Sequence, residues 1–250
     1  MIYLKSSNEI DVMRKAGTIV AETLLKIEEN IKPGITTLEI DKLAEEYIIN
    51  SGARPSFKGY GGFPRSICAS INEEIVHGIP SSKRVLQEGD IISVDCGAYF
   101  KGFHGDAART FAVGDISDEA KKLINVTEQS FFEGIKYACV GKRIGDISNG
   151  IQTYAERHGF SLVRDYVGHG IGKALHEEPS VPNYGKAGKG PKLAKGMVLA
   201  IEPMVNVGVY AAKQLSDGWT VVTADGKLSA HYENTVAILE NGPEILTLIK

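Results

Sequence analysis

Gly89–Val113, GDIISVDCGAYFKGFHGDAARTFAV, is the stretch whose reading decides the fold. The apolar, β-branched run Ile91-Ile92-Ser93-Val94, bounded by Gly89-Asp90 and Gly97, reads as a buried strand that ends on a carboxylate, Asp95. After a turn-like Tyr99 to Gly102, a second strand-like run covers Ala107 to Val113, introduced by Gly105-Asp106. A hairpin centred at Phe100-Lys101 would set Asp95 nearly opposite Asp106, and directly opposed residues have Cβ atoms about 4.5–5.5 Å apart. Two ionised carboxylates that close repel, so the pair calls for a shared proton or a cation between them. The plainer alternative is a hairpin with two aspartates in water; the run before Asp95 is too apolar for such an edge.

Composition narrows the classes. At 250 residues the chain is one large domain or two small ones and can bury about 70–75 % of its unfolded surface. With 28 Lys+Arg against 31 Asp+Glu the net charge is −3, which leaves no electrostatic footprint for nucleic acid or anionic lipid. Cys68, Cys96 and Cys139 are odd in number and widely spaced, which argues for a reducing compartment. Charges run through the first helix-like segment, unlike a signal peptide, and no apolar run approaches the ~18–20 residues of a membrane span. The expectation is a soluble, cytoplasmic protein.

Outward from the hairpin, Ser7 is the expected cap of a helix whose apolar positions Ile10, Met13, Gly17, Val20, Leu24 and Ile27 recur every three or four residues, stopped by Pro33-Gly34. Thr36 or Thr37 starts a second helix, stopped by Ser51-Gly52. Arg54 to Pro64 reads as an ordered loop, and Ile67 to Ile71 and Ile75-Val76 as strands. Beyond the hairpin, a helix begins at Asp118 and ends near Cys139-Val140-Gly141, and another runs from about Gly145 to Arg157.

The order repeats. One offset of 107 relates Gly34 to Gly141, Ile40 to Ile147, Gly52 to Gly159, Gly89 to Gly196 and Asp95 to Glu202. The alternative is that βα units merely look alike; one offset holding turn glycines and strand apolars in register favours two related halves, approximately 8–107 and 115–240, within a single domain spanning 1–250. A pseudo-two-fold packing would bring Asp95 and Glu202 to one central site. Nitrogen comes from His169, set between Gly168 and Gly170, and from His176; Glu233 precedes a further apolar run. Asp95, Asp106, His169, Glu202 and Glu233 carry a formal −4, the charge of two divalent cations. Oxygen donors with one imidazole suit Co, Mn or Fe(II), with Zn and Ni as alternatives.

On those residues the chain resembles the type I methionine aminopeptidases over nearly its whole length. The resemblance implies the pita-bread fold of α/β (α+β) class: two pseudo-two-fold related halves, each with helices on a mainly antiparallel sheet, around a dinuclear metal centre. It implies Asp95, Asp106, His169, Glu202 and Glu233 as metal ligands, Glu202 also as general base, and His77 and His176 as catalytic groups that polarise the scissile carbonyl. Tyr60, Cys68 and Trp219 match methionine-pocket positions, and Phe57, Phe63 and Leu175 stand where some relatives have Cys, Tyr and Phe. The implied activity is hydrolysis of the N-terminal methionine from nascent chains with a small second residue, by a monomer bound to neither membrane nor specific nucleic acid.

Glu202 and Glu233 lie 31 positions apart, too close for the helical insertion of type II enzymes. The basic Gly185 to Lys192 segment, GKAGKGPK, reads as a flexible solvated loop, with transient ribosome contact as a second option. Two rival classes share the fold: a binding module that has lost catalysis, against which the full ligand set argues, and proline-specific peptidases or amidinohydrolases, which usually carry a separate N-terminal domain.

Overall fold

A computed structural model describes residues 1–249. Helix α1 (Ser7–Glu28) is capped by Ser6, one residue before the expected Ser7, because Glu9 completes a capping box: its backbone N–H donates to the Ser6 side chain and its carboxylate accepts from the Ser6 backbone. Thr36 and Glu39 repeat the device at α2 (Thr37–Asn50). Helix α3 (Asp118–Ile135) stops a turn before Gly141, since Tyr137 and Ala138 donate back three residues, to Gly134 and Ile135, in a tightened turn. Helix α4 spans Ile144–Arg157.

The apolar stripe of α1 is buried from Ile10 to Ile27, and each such aliphatic side chain stabilises the fold by roughly 1.5–3 kcal/mol. Gly17 sits in that stripe because backbone passes directly over it: an added Cβ would lie 2.2 Å from the Leu246 carbonyl oxygen. Gly17→Ala is therefore expected to destabilise by about 1–3 kcal/mol, a fall in Tm of roughly 2–12 °C in a thermal melt. An unchanged Tm would show that the Leu246 segment can yield.

The central hairpin pairs Ile91–Phe100 with Phe103–Ala112, and its register corrects the sequence expectation. Lys101 and Gly102 both take positive φ, 45° and 94°, in a two-residue turn that places the glycine second, so the centre moves one residue along. Asp95 pairs with Ala108, and Asp106 with Gly97. The second strand begins at Phe103, so Asp106 lies within the ladder. Because partners shift by two residues, both aspartates keep the same face and stand diagonally instead of directly opposed.

That hairpin belongs to a four-stranded antiparallel sheet with Arg54–Pro55 and Ile67–Ile71. The second half builds a five-stranded antiparallel sheet in the order Gly242–Ile245, Asn234–Leu239, Val198–Ile201, Gly168–Gly170, Glu177–Val181. The halves correspond in detail. Helices α2 and α4 are related by 107 at both ends, as are the strand starts Ile91 and Val198. The isolated bridges Thr36 to Val85 and Arg143 to Lys192 share that offset, and Gly89 and Gly196 take φ of 93° and 88°. Each half has its own apolar core, and a third cluster, including Met13, Phe57, Phe63, Ile171, Leu175 and Leu246, joins them. A small sheet also crosses between halves, with Glu74–Val76 against Val221–Thr223.

The Gly185 to Lys192 segment is held down, contrary to its expected flexibility. Lys189 and Gly190 accept through their carbonyls from the Gly145 N–H and Arg143 Nη1, and the Gly188 N–H donates to Asp146. Positive φ at Gly185, Gly188 and Gly190 lets the backbone wrap the start of α4. Among the described residues no helix is long and apolar enough to cross a membrane.

Candidate metal centre

The two halves are stitched together beside the aspartates. Asp106 N–H donates to Thr235 Oγ1 (2.9 Å), whose hydroxyl donates back to the Asp106 carbonyl (2.8 Å), and Glu233 N–H donates to the Ala108 carbonyl (3.0 Å). Arg109, stacked 4.2 Å over Tyr232, donates to the Glu233 carbonyl at 2.5 Å and to Asn234 Oδ1 at 2.7 Å. These bonds fix the backbone from which Asp106 and Glu233 project.

His169 lies on the strand Gly168–Gly170, paired with Ala200. Its neighbours are glycines because a Cβ at Gly168 would stand 2.4 Å from the Ala200 carbonyl oxygen and one at Gly170 2.2 Å from that of Glu178. His169 Nδ1 meets the Gly170 carbonyl at 2.9 Å; a carbonyl only accepts, so Nδ1 carries the proton and Nε2 keeps its lone pair. Glu202 follows the strand Val198–Ile201, with Oε1 3.6 Å from His169 Nε2 and Oε2 3.6 Å from His231 Nε2.

Burial without partners sets the electrostatics. Asp95 Oδ1, Asp106 Oδ1 and Glu233 Oε1 are enclosed and have no hydrogen-bond partner among the described residues. Burial raises the Asp95 carboxyl to about 7 and that of Glu202 to about 8. Asp106 and Glu233 are pushed well above the carboxylate range, by burial first and then by the surrounding carboxylates. The imidazoles move the other way: burial, aided by neighbouring histidines, lowers His77 to about 4 and His169 to about 3. Orphaned buried oxygens facing a neutral imidazole lone pair are costly unless a cation joins them. Ligand atoms of Asp106, His169 and Glu233 lie within 4.8 Å of one another, as do those of Glu202, His231 and Glu233. The residues fit divalent cations.

The carboxylates floor a cavity of about 220 Å³, and every residue singled out in the sequence lines it: the five acidic and imidazole groups, His77 and His176, and the apolar set Phe57, Tyr60, Phe63, Cys68, Leu175 and Trp219. Phe57, Phe63 and Leu175 are buried, and Trp219 meets Phe63 edge-on at 5.1 Å. His77 takes φ of 61°, a conformation unfavourable for a side-chain-bearing residue, between the strand Glu74–Val76 and Gly78, whose Cβ would collide with the Ala69 carbonyl. His176 stands 4.2 Å, centroid to centroid, from the His169 ring.

Sequence reasoning missed Tyr166 and Met204, which also line the cavity, and His231, whose Nε2 is buried beside Glu202. The strand pairing, not the sequence offset, brings out His231. Met204 pairs with His231 just as Gly97, 107 residues earlier, pairs with Asp106, so His231 occupies the second-half counterpart of a ligand position.

Two duplicated lobes closing a buried carboxylate and imidazole cage over an apolar cavity define a metal-dependent hydrolase. The sequence pattern of Metallopeptidase family M24 matches residues 11–240. A methionine aminopeptidase from Clostridium perfringens is 65 % identical over 250 residues, all of both chains. The crystal structure of methionine aminopeptidase from Thermotoga maritima is 47 % identical, with a TM-score of 0.98 over 100 % of both chains. Prolidase from Pyrococcus furiosus, 23 % identical and matched over 99 % of this chain and 66 % of its own, shares the fold alone with a TM-score of 0.77. The chain belongs to the methionine aminopeptidase branch of metallopeptidase family M24.

Proposed function

We propose that the protein hydrolyses the N-terminal methionine from polypeptides whose second residue is small, using two divalent cations held by Asp95, Asp106, His169, Glu202 and Glu233. The observation that carries this reading is the set of unpartnered buried carboxylate oxygens at the end of an apolar, aromatic-walled cavity. Glu233 belongs to both ligand groupings, one with Asp106 and His169 and one with Glu202 and His231, and such a set would hold two cations. A donor set in which carboxylate oxygens outnumber imidazole nitrogens favours Co, Mn or Fe(II). When bound, the cations supply Lewis acidity and fixed positive charge at the scissile carbonyl.

The chain's own groups do the rest. Phe57, Phe63, Cys68, Leu175, Trp219 and the Tyr60 ring enclose the methionine side chain and exclude water, which orients the first peptide bond over the carboxylates. Glu202 takes the proton of the attacking water on a carboxylate oxygen. His77 and His176, which burial disposes to be neutral, donate hydrogen bonds to the oxygen that gains charge as the carbonyl becomes tetrahedral.

The test is release of methionine from Met-Ala-Ser by metal-free protein after add-back of each cation, beside hydrolysis of an Xaa-Pro dipeptide and of a Met-Lys peptide. Methionine release with little Xaa-Pro cleavage is expected. Equal rates on Met-Ala and Met-Lys peptides would refute the small second residue, and Xaa-Pro cleavage alone would move the protein to the proline-specific class. His77→Ala is expected to lower kcat about 10²–10³-fold while native mass spectrometry still counts both metals. A lost metal would make His77 part of the cage instead.

A further inference from the structure

We infer that the Tyr60 hydroxyl is a positioning group for His176: it donates to Nδ1 and thereby fixes the His176 proton on Nε2, the nitrogen left to face the substrate carbonyl. The inference rests on the aminopeptidase reading and assigns Tyr60 a role separate from its ring's place in the methionine pocket.

The geometry is direct. Tyr60 Oη lies 2.8 Å from His176 Nδ1, with the ring centroids 5.2 Å apart, across 116 positions of sequence. A phenol is a better donor than acceptor, and the in-plane lone pair of a neutral imidazole is a good acceptor, so the favoured arrangement is O–H to Nδ1. A neutral imidazole has a single N–H to place. With Nδ1 taken as acceptor, the proton must reside on Nε2.

The hydroxyl is held in place by backbone. Gly59, Gly61 and Gly62 take φ of 85°, 55° and 90°, and Tyr60 N–H donates to the Phe57 carbonyl while Phe63 N–H donates to that of Tyr60. Those turns present Tyr60, 44 % exposed, at the cavity rim above His176. The other imidazole of the pair shows the contrasting wiring. His169 spends its Nδ1 proton on the Gly170 carbonyl and offers an Nε2 lone pair to a cation, whereas His176, with Nδ1 facing a hydroxyl, offers an Nε2 proton to an oxygen. The two rings are in edge contact, so a proton on the wrong nitrogen of His176 would leave the carbonyl without its donor.

The experiment uses the full chain loaded with a diamagnetic divalent ion. With ¹⁵N-labelled histidine there are only six residues to resolve, and His176 is assigned from the spectrum of His176→Gln. The wild type is expected to show His176 protonated at Nε2, and Tyr60→Phe to show a mixed or Nδ1-protonated ring. In parallel, Tyr60→Phe is expected to lower kcat on Met-Ala-Ser roughly three- to tenfold, the worth of one neutral hydrogen bond, with KM held within about twofold because the ring remains. Tyr60→Ala is expected to raise KM as well. An Nδ1-protonated His176 in the wild type overturns the inference whatever the variant does, and so does Tyr60→Phe with unchanged tautomer and kcat. A wild type that releases no methionine sinks the aminopeptidase reading instead, and the tautomer measurement stands apart from that outcome.

Discussion

Glu202→Gln is expected to lower kcat/KM on Met-Ala-Ser by at least about 10²-fold, the lower end of what loss of a general base costs. Glutamine keeps the size and the carbonyl oxygen of the side chain but removes the negative charge and the proton acceptor. Its carboxylate oxygens face imidazole nitrogens without hydrogen-bonding to them, Oε1 3.6 Å from His169 Nε2 and Oε2 3.6 Å from His231 Nε2, and the side chain is only 13 % exposed. The charge that is lost therefore cannot be replaced by solvent, and an altered metal ligand adds to the deficit. Steady-state kinetics with saturating cation measure the effect, with far-ultraviolet circular dichroism and Tm as controls for folding. Retention of more than a tenth of wild-type kcat/KM would contradict Glu202 as base and ligand.

Cation removal is expected to make stability strongly pH-dependent, in a window fixed by the carboxylates and histidines together. Unfolded carboxyls titrate near pH 4. In the folded, metal-free protein Asp95 and Glu202 rise to about 7 and about 8, and Asp106 and Glu233 lie well above their usual range. The folded chain thus keeps protons that the unfolded chain has released, so these groups stabilise it at low pH and cease to do so as pH climbs through their folded values.

The histidines oppose this below about pH 6.5. His77, His169, His104, His176 and His231 are all lowered by burial, so there the unfolded chain binds protons that the folded one refuses. Above about 6.5 only the carboxylates act. The chelated protein is expected to lose stability between about pH 6.5 and 8, each retained proton contributing about 1.4 kcal/mol per pH unit. Divalent cations displace those protons and stabilise by about 2.7 kcal/mol at a hundred times Kd. The gap in Tm between loaded and chelated protein should widen across that window. Differential scanning calorimetry with and without chelator decides it: a gap that is flat or narrows with rising pH would mean the carboxylates do not face a common cation.

Much of this was legible in the chain itself, where the controlling physics acts over a few residues. Helix starts were legible to within a residue, Ser6 capping where Ser7 was expected, and Gly34, Gly141, Gly52 and Gly159 hold positive φ, so the 107-residue repeat reads directly as matching backbone turns. The two-lobed plan and the candidate ligand types followed, because carboxylates at the ends of apolar strands, as at Asp95 and Glu202, call for a proton or a cation, and the family resemblance then implied the fold class.

What the chain could not reveal was decided by packing between remote segments. The hairpin register turned on Gly102 taking the second turn position, which one strand pattern alone does not distinguish from a turn one residue earlier. His231 became part of the site only once Ser229–His231 paired with Met204–Asn206, and Tyr60 reached His176 only through a turn closed by three positive-φ glycines. Local sterics and capping bonds are written in neighbouring residues and can be read from them; the meeting of side chains more than a hundred positions apart depends on how two lobes settle against each other, and only the folded chain carries that information.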